Sequence, residues 1–265
     1  MRSSLKILDY ILNSVIIPHV SHLATSMKIF KVYTFFMRLN RFFCEVTLDQ
    51  KSTLITHAPL VNQLKNVFRL VTGDKIILFD GSGFDFISVI TGYEKDTVSF
   101  TVVEVKQNTV VTRNETYLFA SVVKKDNFEW IAQKATELGV SHIVPVISER
   151  SEKKNLNMER LQKIIVEASE QSGRGTIPTI SEILDLESAL EKYSHIKSIV
   201  WDIVAQKFVS QDLEGIVGAY IGPEGGWSPK ELELFAKHNI KTRSLGPQVL
   251  RAETAVIAAL SQMVF

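Results

Sequence analysis

The chain has 265 residues, with 30 Lys and Arg against 29 Asp and Glu, for a formal net charge of +1. This length suits one large domain or two smaller ones that fold without disulfides. A single cysteine, Cys44, excludes a disulfide framework and a cysteine metal cluster, and it is typical of a reducing compartment. No apolar run reaches the length of about 18 residues that a membrane span needs. We therefore expect a cytoplasmic protein with no membrane partner, and the scattered histidines predict no metal site.

The charges are unevenly distributed along the chain. Residues 1–113 carry 13 basic against 9 acidic residues, whereas residues 114–265 carry 17 against 20. The front half is therefore the better candidate for contacts with phosphate groups.

Residues 1–36 form an apolar, mildly basic extension of unknown role. Asn13, Ser14 and Pro18 interrupt its apolar run, and no cleavage-site pattern of a secretory signal follows. The segment is interpreted either as an added helix or as a non-native extension ahead of the internal starts Met27 or Met37.

Residues 37–112 are rich in strand and turn signals. In "KIILFDGSGFDFISVITGY", two β-rich runs flank Asp80–Gly83, which predicts a hairpin. Gly81 and Gly83 could open a dinucleotide-binding fingerprint, but Phe86 stands where a third glycine is needed and no helix follows. We therefore predict a small domain resembling a β-barrel.

Residues 113–265 alternate between strand and helix patterns. Trp130, Ile131, Ala135 and Leu138 form the predicted apolar face of a helix that ends at Gly139. Such alternation predicts an α/β domain with a mostly parallel sheet covered by helices, in which ligands bind beyond the carboxyl ends of the strands. The predicted strands are "TYLFASVV", "SHIVPVIS", "IKSIVWD" and "GIVGAYIG", and the predicted helices are "NFEWIAQKATELG", "MERLQKIIVEASEQSG", "LESALEKY", "SPKELELFAKHN" and "ETAVIAALSQMV".

The stretch "IGPEGGWSPKELELF" places a glycine cluster between a predicted strand and a predicted helix. Ser228 is a good N-cap, Pro229 suits the first helical position and Glu231 completes a capping box. The loop is therefore predicted to bind a nucleotide-like ligand, although no Gly-Lys-Ser/Thr follows as in a phosphate loop. Glu224 would repel phosphate, so a ligand with an adenosine part and a positive centre fits better.

A second stretch, "SLGPQVLRAETAVIAAL", places Arg251 directly before a helix. A cation at a helix N-terminus is disfavoured, because that end of the helix is already positive. Arg251 is therefore expected to have an anionic partner, either Glu253 or a substrate.

Together these motifs resemble a known family. "IGPEGG", followed 24 residues later by "LGPQVLRAETA", is similar to the C-terminal signature of SPOUT-class RNA methyltransferases, specifically the RsmE family. "MRLNRFF", "QKATELGVSHIVPV" and "EASEQSGR" also match that family. The resemblance covers residues 37–265.

The resemblance implies a fold, an activity and an assembly. It implies a SPOUT-type parallel sheet with a trefoil knot over residues 113–265, preceded by a PUA-like RNA-binding β-barrel over residues 37–112. It implies a homodimer that uses S-adenosylmethionine to methylate N3 of one uridine in 16S ribosomal RNA of the small ribosomal subunit. Two alternatives stay open: a SPOUT enzyme that acts on another RNA position, and a non-catalytic RNA-binding protein.

The resemblance also implies site residues. For catalysis, Arg251 or Arg174 would stabilise the negative charge on the deprotonated uracil, and Glu224, Glu253 or Glu167 would accept its proton. The expected cofactor-binding residues are Trp201, Ile221, Gly222, Pro223, Glu224, Gly225, Gly226, Leu245, Gly246, Leu250 and Arg251. The expected RNA-binding residues are Arg38, Arg41, Phe42, Lys124, Lys134 and Arg150.

Overall fold

The computed structural model describes residues 39–49, 52–56, 58–110, 115–151, 155–207, 209 and 215–264. The chain divides into two units, Met1–Asn40 and Arg41–Phe265, and every element described below belongs to the second. The predicted extension 1–36, the internal start Met37 and Arg38 lie outside the described residues. Within the described ranges, no helix has the length and apolar character needed to cross a bilayer.

The front part of the second unit forms a five-stranded sheet. Its strands are β1 (Arg41–Phe43), β2 (Ser52–Thr56), β3 (Lys75–Phe79), β4 (Phe84–Tyr93) and β5 (Thr97–Gln107). Their order across the sheet is β1-β3-β4-β5-β2, with β1 and β3 parallel and the other pairs antiparallel. A short helix, α1 (Ala58–Asn62), continues into a π-helical turn at Gln63–Val67. The small N-terminal β domain predicted from the sequence is confirmed.

The hairpin between β3 and β4 is formed as predicted. Gly81 and Gly83 adopt φ values of +86° and +88°, a conformation that favours glycine. The Asp80 carboxylate accepts hydrogen bonds from the amides of Ser82 and Leu48, both at 3.0 Å. A strand follows the turn, so the dinucleotide-binding interpretation is excluded.

The core of this β domain includes the sole cysteine. Cys44 is 2% exposed and belongs to the same cluster as Phe42, Leu78 and Phe100. Burial, helped by the nearby carboxylates of Glu170 and Asp80, raises the pKa of the Cys44 thiol to about 12. Cys44 is therefore a packing residue, because the reactive thiolate form is strongly disfavoured.

The C-terminal part is built on a seven-stranded sheet in which all neighbouring strands are parallel. The strands are β6 (Tyr117–Ser121), β7 (His142–Ile147), β8 (Thr179–Ile180), β9 (Leu184–Asp185), β10 (Ser198–Trp201), β11 (Gly218–Ile221) and β12 (Lys241–Arg243). The order is β12-β10-β11-β6-β7-β8, and β9 also pairs with β7. The predicted α/β architecture with a parallel sheet is confirmed.

Helices cover both faces of this sheet. They are α2 (Lys125–Glu137), α3 (Met158–Ser172), α4 (Leu186–Lys192), α5 (Pro229–Lys237) and α6 (Ala252–Val264). Alternate strand residues enter different cores: Leu118 and Ala120 pack with α2, α3 and α6, whereas Phe119 packs with α4 and α5. This alternation of buried residues to both faces is typical of a parallel sheet.

The helix ends follow the local signals in the sequence. Asn157 caps α3 by accepting a hydrogen bond from the amide of Arg160, and Gly173 ends that helix with a φ of +87°. At α5, the Ser228 hydroxyl accepts from the Glu231 amide, and the Glu231 carboxylate accepts from the Ser228 amide at 2.7 Å. The predicted capping box is therefore formed.

The predicted apolar face of α2 needs one correction. Ile131 and Ala135 are buried, but Trp130 is 43% exposed and lies outside the core. Its ring faces the solvent side of α2, with the Lys134 ammonium 5.9 Å from the ring centroid. The helical spacing that buries Ile131 and Ala135 turns the neighbouring Trp130 away from the sheet.

Candidate active site

Three loops meet at one edge of the parallel sheet and form a pocket. They follow β10, β11 and β12, which are neighbours in the sheet, so their carboxyl ends lie side by side. The loops and the start of α6 enclose a cavity of about 210 Å³. It is lined by Trp201, Asp202, Ile203, Ile221, Gly222, Pro223, Glu224, Gly225, Gly226, Trp227, Ser244, Leu245, Gly246, Gln248, Val249, Leu250, Ala252 and Ala255.

This pocket brings together the residues that the sequence assigned to a cofactor. Ten of the eleven line it, from Trp201 through the 221–226 loop to Leu250. Arg251 is the exception, although its neighbours Leu250 and Ala252 are lining residues. The lining also contains Trp227 and Ser244, which the sequence prediction did not include. Trp227 directly follows the loop 221–226, and Ser244 directly precedes the loop that begins at Leu245.

The glycine-rich loop is shaped by contacts within the chain. A Cβ atom at Gly222 would lie 3.2 Å from the indole of Trp227, and one at Gly225 would lie 3.3 Å from the side chain of Arg150. Gly226 has a φ of +67°, and its amide donates to the Pro223 carbonyl at 2.8 Å. Close packing therefore favours glycine at positions 222 and 225, and the backbone conformation favours it at position 226.

Arg150 holds this loop from outside. It follows β7, and its Nη1 donates to the Gly225 carbonyl at 2.7 Å and to the Trp227 carbonyl at 3.4 Å. The amide of the preceding residue, Glu149, donates to the Glu231 carboxylate at 2.8 Å. Arg150 was predicted to bind RNA, whereas its observed contacts are with the backbone of the pocket.

Ser244 links the other two loops. Its amide donates to the Gln206 carbonyl at 2.8 Å, and its hydroxyl donates to the Gly246 carbonyl at 2.9 Å. The hydroxyl also lies 3.3 Å from the Ile203 carbonyl, so one buried side chain ties the loop after β10 to the loop after β12. Ser244 therefore supports the pocket wall that contains Leu245.

Polar groups around the pocket are incompletely partnered. Glu224 is exposed and accepts a long hydrogen bond, 3.4 Å, from the amide of Asn127 in α2. Among the described residues, the buried Nε1 of Trp227 has no hydrogen-bond partner. A bound ligand could supply the missing partners, since buried polar groups are normally hydrogen-bonded.

Arg251 and Glu253 are close in sequence but do not form an ion pair within the described structure. Arg251 is exposed, and no described residue forms a hydrogen bond or ion pair with its guanidinium. Glu253 is 8% exposed, and its buried Oε2 has no partner among the described residues. Two anionic partners were predicted for Arg251. Because Glu253 does not pair with it in the described structure, the substrate remains as the candidate.

Arg174, the second cation predicted to act in catalysis, does not line the cofactor pocket. It is 5% exposed, and its Nη1 donates to the carbonyls of Thr136 and Val140 at 2.9 and 2.8 Å. Burial lowers the pKa of its guanidinium to about 10. Arg174 lines a separate cavity and not the cofactor pocket, and its catalytic role stays a prediction.

Two predicted RNA contacts are buried. Arg41 pairs with Asp85 at 2.6 Å, with the two side chains 5% and 17% exposed. Phe42 is fully buried and packs edge-on against Phe68. Both side chains are therefore inaccessible to RNA, and these two expectations were wrong.

The remaining RNA candidates lie at or near α2. Lys124 is exposed at the N-cap of α2. Lys134 forms an ion pair with Glu137 at 2.8 Å, and its side chain is 28% exposed. Neither residue lines the cofactor pocket, and their contact with RNA stays a prediction.

Comparison with known proteins identifies the family. The chain matches the model of the RNA methyltransferase domain over residues 112–264 and that of the RNA methyltransferase PUA domain over residues 64–103. It is 31% identical to ribosomal RNA small subunit methyltransferase E of Rickettsia conorii, covering 86% of this chain and 96% of that protein. The protein of the same name from Bacillus subtilis is 30% identical, covering 84% of this chain and 95% of that protein.

A solved structure agrees with this match. Ribosomal RNA small subunit methyltransferase E from Neisseria gonorrhoeae, crystallised with S-adenosyl methionine, superimposes with a TM-score of 0.78 at 29% identity. The match covers 85% of this chain and 97% of that one, and the fold is therefore of the SPOUT type with a preceding PUA-like domain. The trefoil knot stays a prediction. The chain belongs to the ribosomal RNA small subunit methyltransferase E family.

Proposed function

We propose that the protein uses S-adenosylmethionine to methylate N3 of a uridine in 16S ribosomal RNA of the small ribosomal subunit. The observation that carries the proposal is one pocket built from both signature loops, 221–226 and 245–251, at the carboxyl edge of the parallel sheet. The names of the relatives and the cofactor bound to the gonococcal structure support it.

The residues of the pocket fit this cofactor. Leu245 and Leu250 provide apolar surface for an adenine ring, and the backbone of the glycine loop can approach the ligand closely. The Glu224 carboxylate at the same wall suits a positively charged sulfonium. The orphaned Nε1 of Trp227 is a hydrogen-bond donor that a ligand oxygen or nitrogen would satisfy.

For this reaction the protein must align the uracil with the methyl group and stabilise the negative charge on the deprotonated base. The bound cofactor supplies an electrophilic methyl group. The uracil N3 is a weak acid, and the negative charge left by its deprotonation spreads to the ring oxygens. Arg251 is exposed beside the pocket with an unpaired guanidinium among the described residues, so it can stabilise that charge. Holding the base in line with the methyl group lowers the barrier further.

Three carboxylates were candidates for the proton acceptor. Glu224 lines the pocket, whereas Glu253 does not, and Glu167 lies in a groove between α2 and α3. We therefore assign proton acceptance to Glu224, which is solvent-exposed and can pass the proton to water.

The domain assignment and the assembly are part of the same proposal. Residues 37–112 would bind RNA and residues 113–265 would carry the methyltransferase site. The helix α6 supports a homodimer, because Ile257, Ala258, Met263 and Val264 remain partly exposed on a largely apolar helix. We place the enzyme in the cytoplasm, where ribosomal RNA and reduced Cys44 are expected together.

Methylation mapping tests this function. Small ribosomal subunits from cells that lack the protein are incubated with the purified chain and S-adenosylmethionine, and modified nucleotides are located by mass spectrometry. We expect one new 3-methyluridine in 16S RNA. A methyl group at another nucleotide or another atom would support the alternative SPOUT activity, and cofactor binding without methylation of any RNA would refute the enzyme assignment.

A further inference from the structure

A groove on the outer surface of α2 and α3 has no part in the cofactor pocket. It has a volume of about 710 Å³ and lies between the solvent-facing sides of the two helices. Residues of α2 from Asp126 to Glu137 and residues of α3 from Arg160 to Gln171 line it with the same helical spacing. We call it the α2–α3 groove.

The groove unites two family motifs that the pocket leaves unused. Gln133, Lys134 and Glu137 come from "QKATELG", and Glu167 and Gln171 come from "EASEQSGR". The helices that carry these segments pack against each other, so the two motifs lie side by side along the groove. The polar side chains of both motifs therefore converge on one ligand-sized space.

The charges in the groove do not favour a phosphate. Lys134 is paired with Glu137 at 2.8 Å, and Arg160 is paired with Glu129 at 3.0 Å. The carboxylate of Glu167 adds negative charge to the lining. A chain of phosphates would be repelled or would have to break these ion pairs.

The same lining suits an uncharged, planar group with hydrogen-bonding edges. Trp130 is 43% exposed and offers an aromatic face to the groove. Gln133 and Gln171 carry amides that both donate and accept hydrogen bonds. An aromatic platform flanked by amides is the arrangement by which proteins bind unstacked bases of single-stranded RNA.

The two helices that form the groove connect the cofactor pocket with the N-terminal domain, which we propose binds RNA. At its start, α2 contacts the cofactor loop through Asn127, which donates to Glu224 at 3.4 Å. At its other end, Gln171 is adjacent to Glu170, whose carboxylate accepts from the Phe43 amide of the N-terminal sheet at 2.8 Å. An RNA strand bound by the N-terminal domain would pass the groove on its way to the pocket.

We infer that the α2–α3 groove binds an unstacked base of the substrate RNA, stacked on Trp130 and hydrogen-bonded by Gln133 and Gln171. The inference rests on the proposed function, since it names a second contact with the same RNA. The bound base flanks the methylated uridine and helps to bring it into the pocket.

Variants of Trp130 test the inference. Trp130→Ala is compared with Trp130→Phe, which keeps a stacking surface, and 16S RNA affinity is measured at several salt concentrations. We expect Trp130→Ala to weaken RNA binding about 5- to 100-fold, as for the loss of one stacked base. Trp130→Phe should retain most of the affinity. The salt dependence should keep its slope in both variants, because no phosphate contact is lost.

Further measurements separate this inference from its competitors. Cofactor affinity and melting temperature should match the wild type, because Trp130 lies outside both the pocket and the core. Unchanged RNA affinity in Trp130→Ala, or a slope reduced by about one, would overturn the base-binding assignment. If the wild type is a dimer and Trp130→Ala is a monomer, the groove is a contact between subunits, and this result would also overturn the base-binding assignment. Failure of the wild type to methylate RNA would refute the proposed function, whereas the effect of Trp130 on RNA affinity would still be measurable.

Discussion

Two regions of the molecule use their polar groups differently. One is the cofactor pocket, and the other is the contact region around Arg41, Asp85 and Asn108, which we call the joint. At the joint, Arg41 donates to Asp85 at 2.6 Å and to the backbone oxygen of Arg174 at 2.9 Å. Asn108 donates from the same amide nitrogen to Asp85 and to the Gly173 carbonyl, at 2.9 and 3.0 Å. These groups bond to one another and hold the N-terminal sheet against the C-terminal end of α3.

At the pocket, hydrogen-bonding capacity remains available. Residues 247–251 are all exposed, and the Nε1 of Trp227, a residue of the pocket lining, is buried without a partner among the described residues. At the joint, the buried Nε of Arg41 also has no partner among the described residues, but the other polar groups named above bond to one another. The joint therefore uses most of its polar groups in contacts within the chain, whereas the pocket leaves hydrogen-bonding groups available for a ligand. Substitutions at the joint should therefore change stability, whereas substitutions at the pocket should change binding and rate.

The largest expected effect comes from Arg251. Because its guanidinium has no described partner in the free protein, Arg251→Ala should leave the melting temperature near that of the wild type. If Arg251 stabilises the deprotonated uracil, the single-turnover methylation rate should fall about 10²- to 10³-fold, as for the loss of one oxyanion donor. Cofactor affinity, measured by calorimetry, should change little.

Arg251→Lys is the matched control. It keeps the charge but not the planar fork, so it should restore only part of the rate. A parallel loss of rate, cofactor affinity and thermal stability in Arg251→Ala would show instead that the residue merely holds its loop, and the contrast between joint and pocket would fail at this position.

The joint can be broken by adding one carbon atom. A Cβ at Gly175 would lie 2.6 Å from Cβ and 2.9 Å from Cγ of Asn108, closer than atoms can pack, and a tight 3.2 Å from the backbone carbon of Gly83. Gly175→Ala should therefore destabilise the fold by about 1–3 kcal/mol, the usual cost of overpacking. Urea unfolding measures the loss.

Gly92→Ala provides the control for this substitution. A Cβ at Gly92 would meet no atom within 4 Å, and Gly92 is not among the glycines with positive φ. Its stability should stay within about 0.5 kcal/mol of the wild type. Equal stability of the two variants would mean that the sheets are not locked at Gly175.

The longer strands and helices of the C-terminal part and the loops of the pocket were predictable from the sequence, because their signals are local. The capping box of α5 spans four consecutive residues, and each signature loop directly follows its strand. The resemblance to the RsmE family was read from the same short stretches. Local chemistry of this kind is readable without knowledge of the rest of the fold.

The joint was not predictable, because its partners are far apart in sequence. Arg41 meets Asp85 and Arg174, which are 44 and 133 residues away, so an apparently free basic residue is in fact buried. Phe42 likewise looked available next to basic residues, and only the packing of β1 against the sheet shows it in the core. Trp130 shows the reverse error, since helical spacing alone did not reveal that its face is open to solvent.

A smaller effect is expected at Arg150. A substitution there tests whether a residue beside the pocket changes ligand binding more than stability. Arg150→Ala removes the 2.7 Å hydrogen bond to the Gly225 carbonyl. For an exposed side chain this is worth about 1 kcal/mol, so cofactor affinity should fall roughly 3- to 10-fold with little change in stability. Arg150→Lys keeps one donor and should recover part of the affinity. Weaker RNA binding with unchanged cofactor affinity would instead favour the RNA contact predicted from the sequence.

The smallest expected effect is a pH dependence at the joint. The Glu170 carboxylate accepts from the Phe43 amide at 2.8 Å and from the Gln63 amide at 3.3 Å. Burial raises the pKa of Glu170 above its ordinary value of 4.5, and these hydrogen bonds oppose the shift only in part. The folded state therefore binds the proton more tightly than the unfolded state. This contribution to stability is fully present below pH 4.5 and is lost as the pH rises through the raised pKa of Glu170.

Glu170→Gln isolates this contribution, because glutamine does not titrate. Its side-chain oxygen can still accept from the Phe43 amide, and the Gln63 amide can rotate to present its own oxygen to the new amino group. The melting temperature of the wild type relative to Glu170→Gln should therefore decrease as the pH is raised from below 4.5 through the raised pKa of Glu170. Melting temperatures of both proteins across that window measure the difference. A difference that is constant with pH, or one that grows as the pH rises, would show that Glu170 is charged in the folded joint without penalty, and that the joint tolerates an ionised carboxylate as readily as the pocket does.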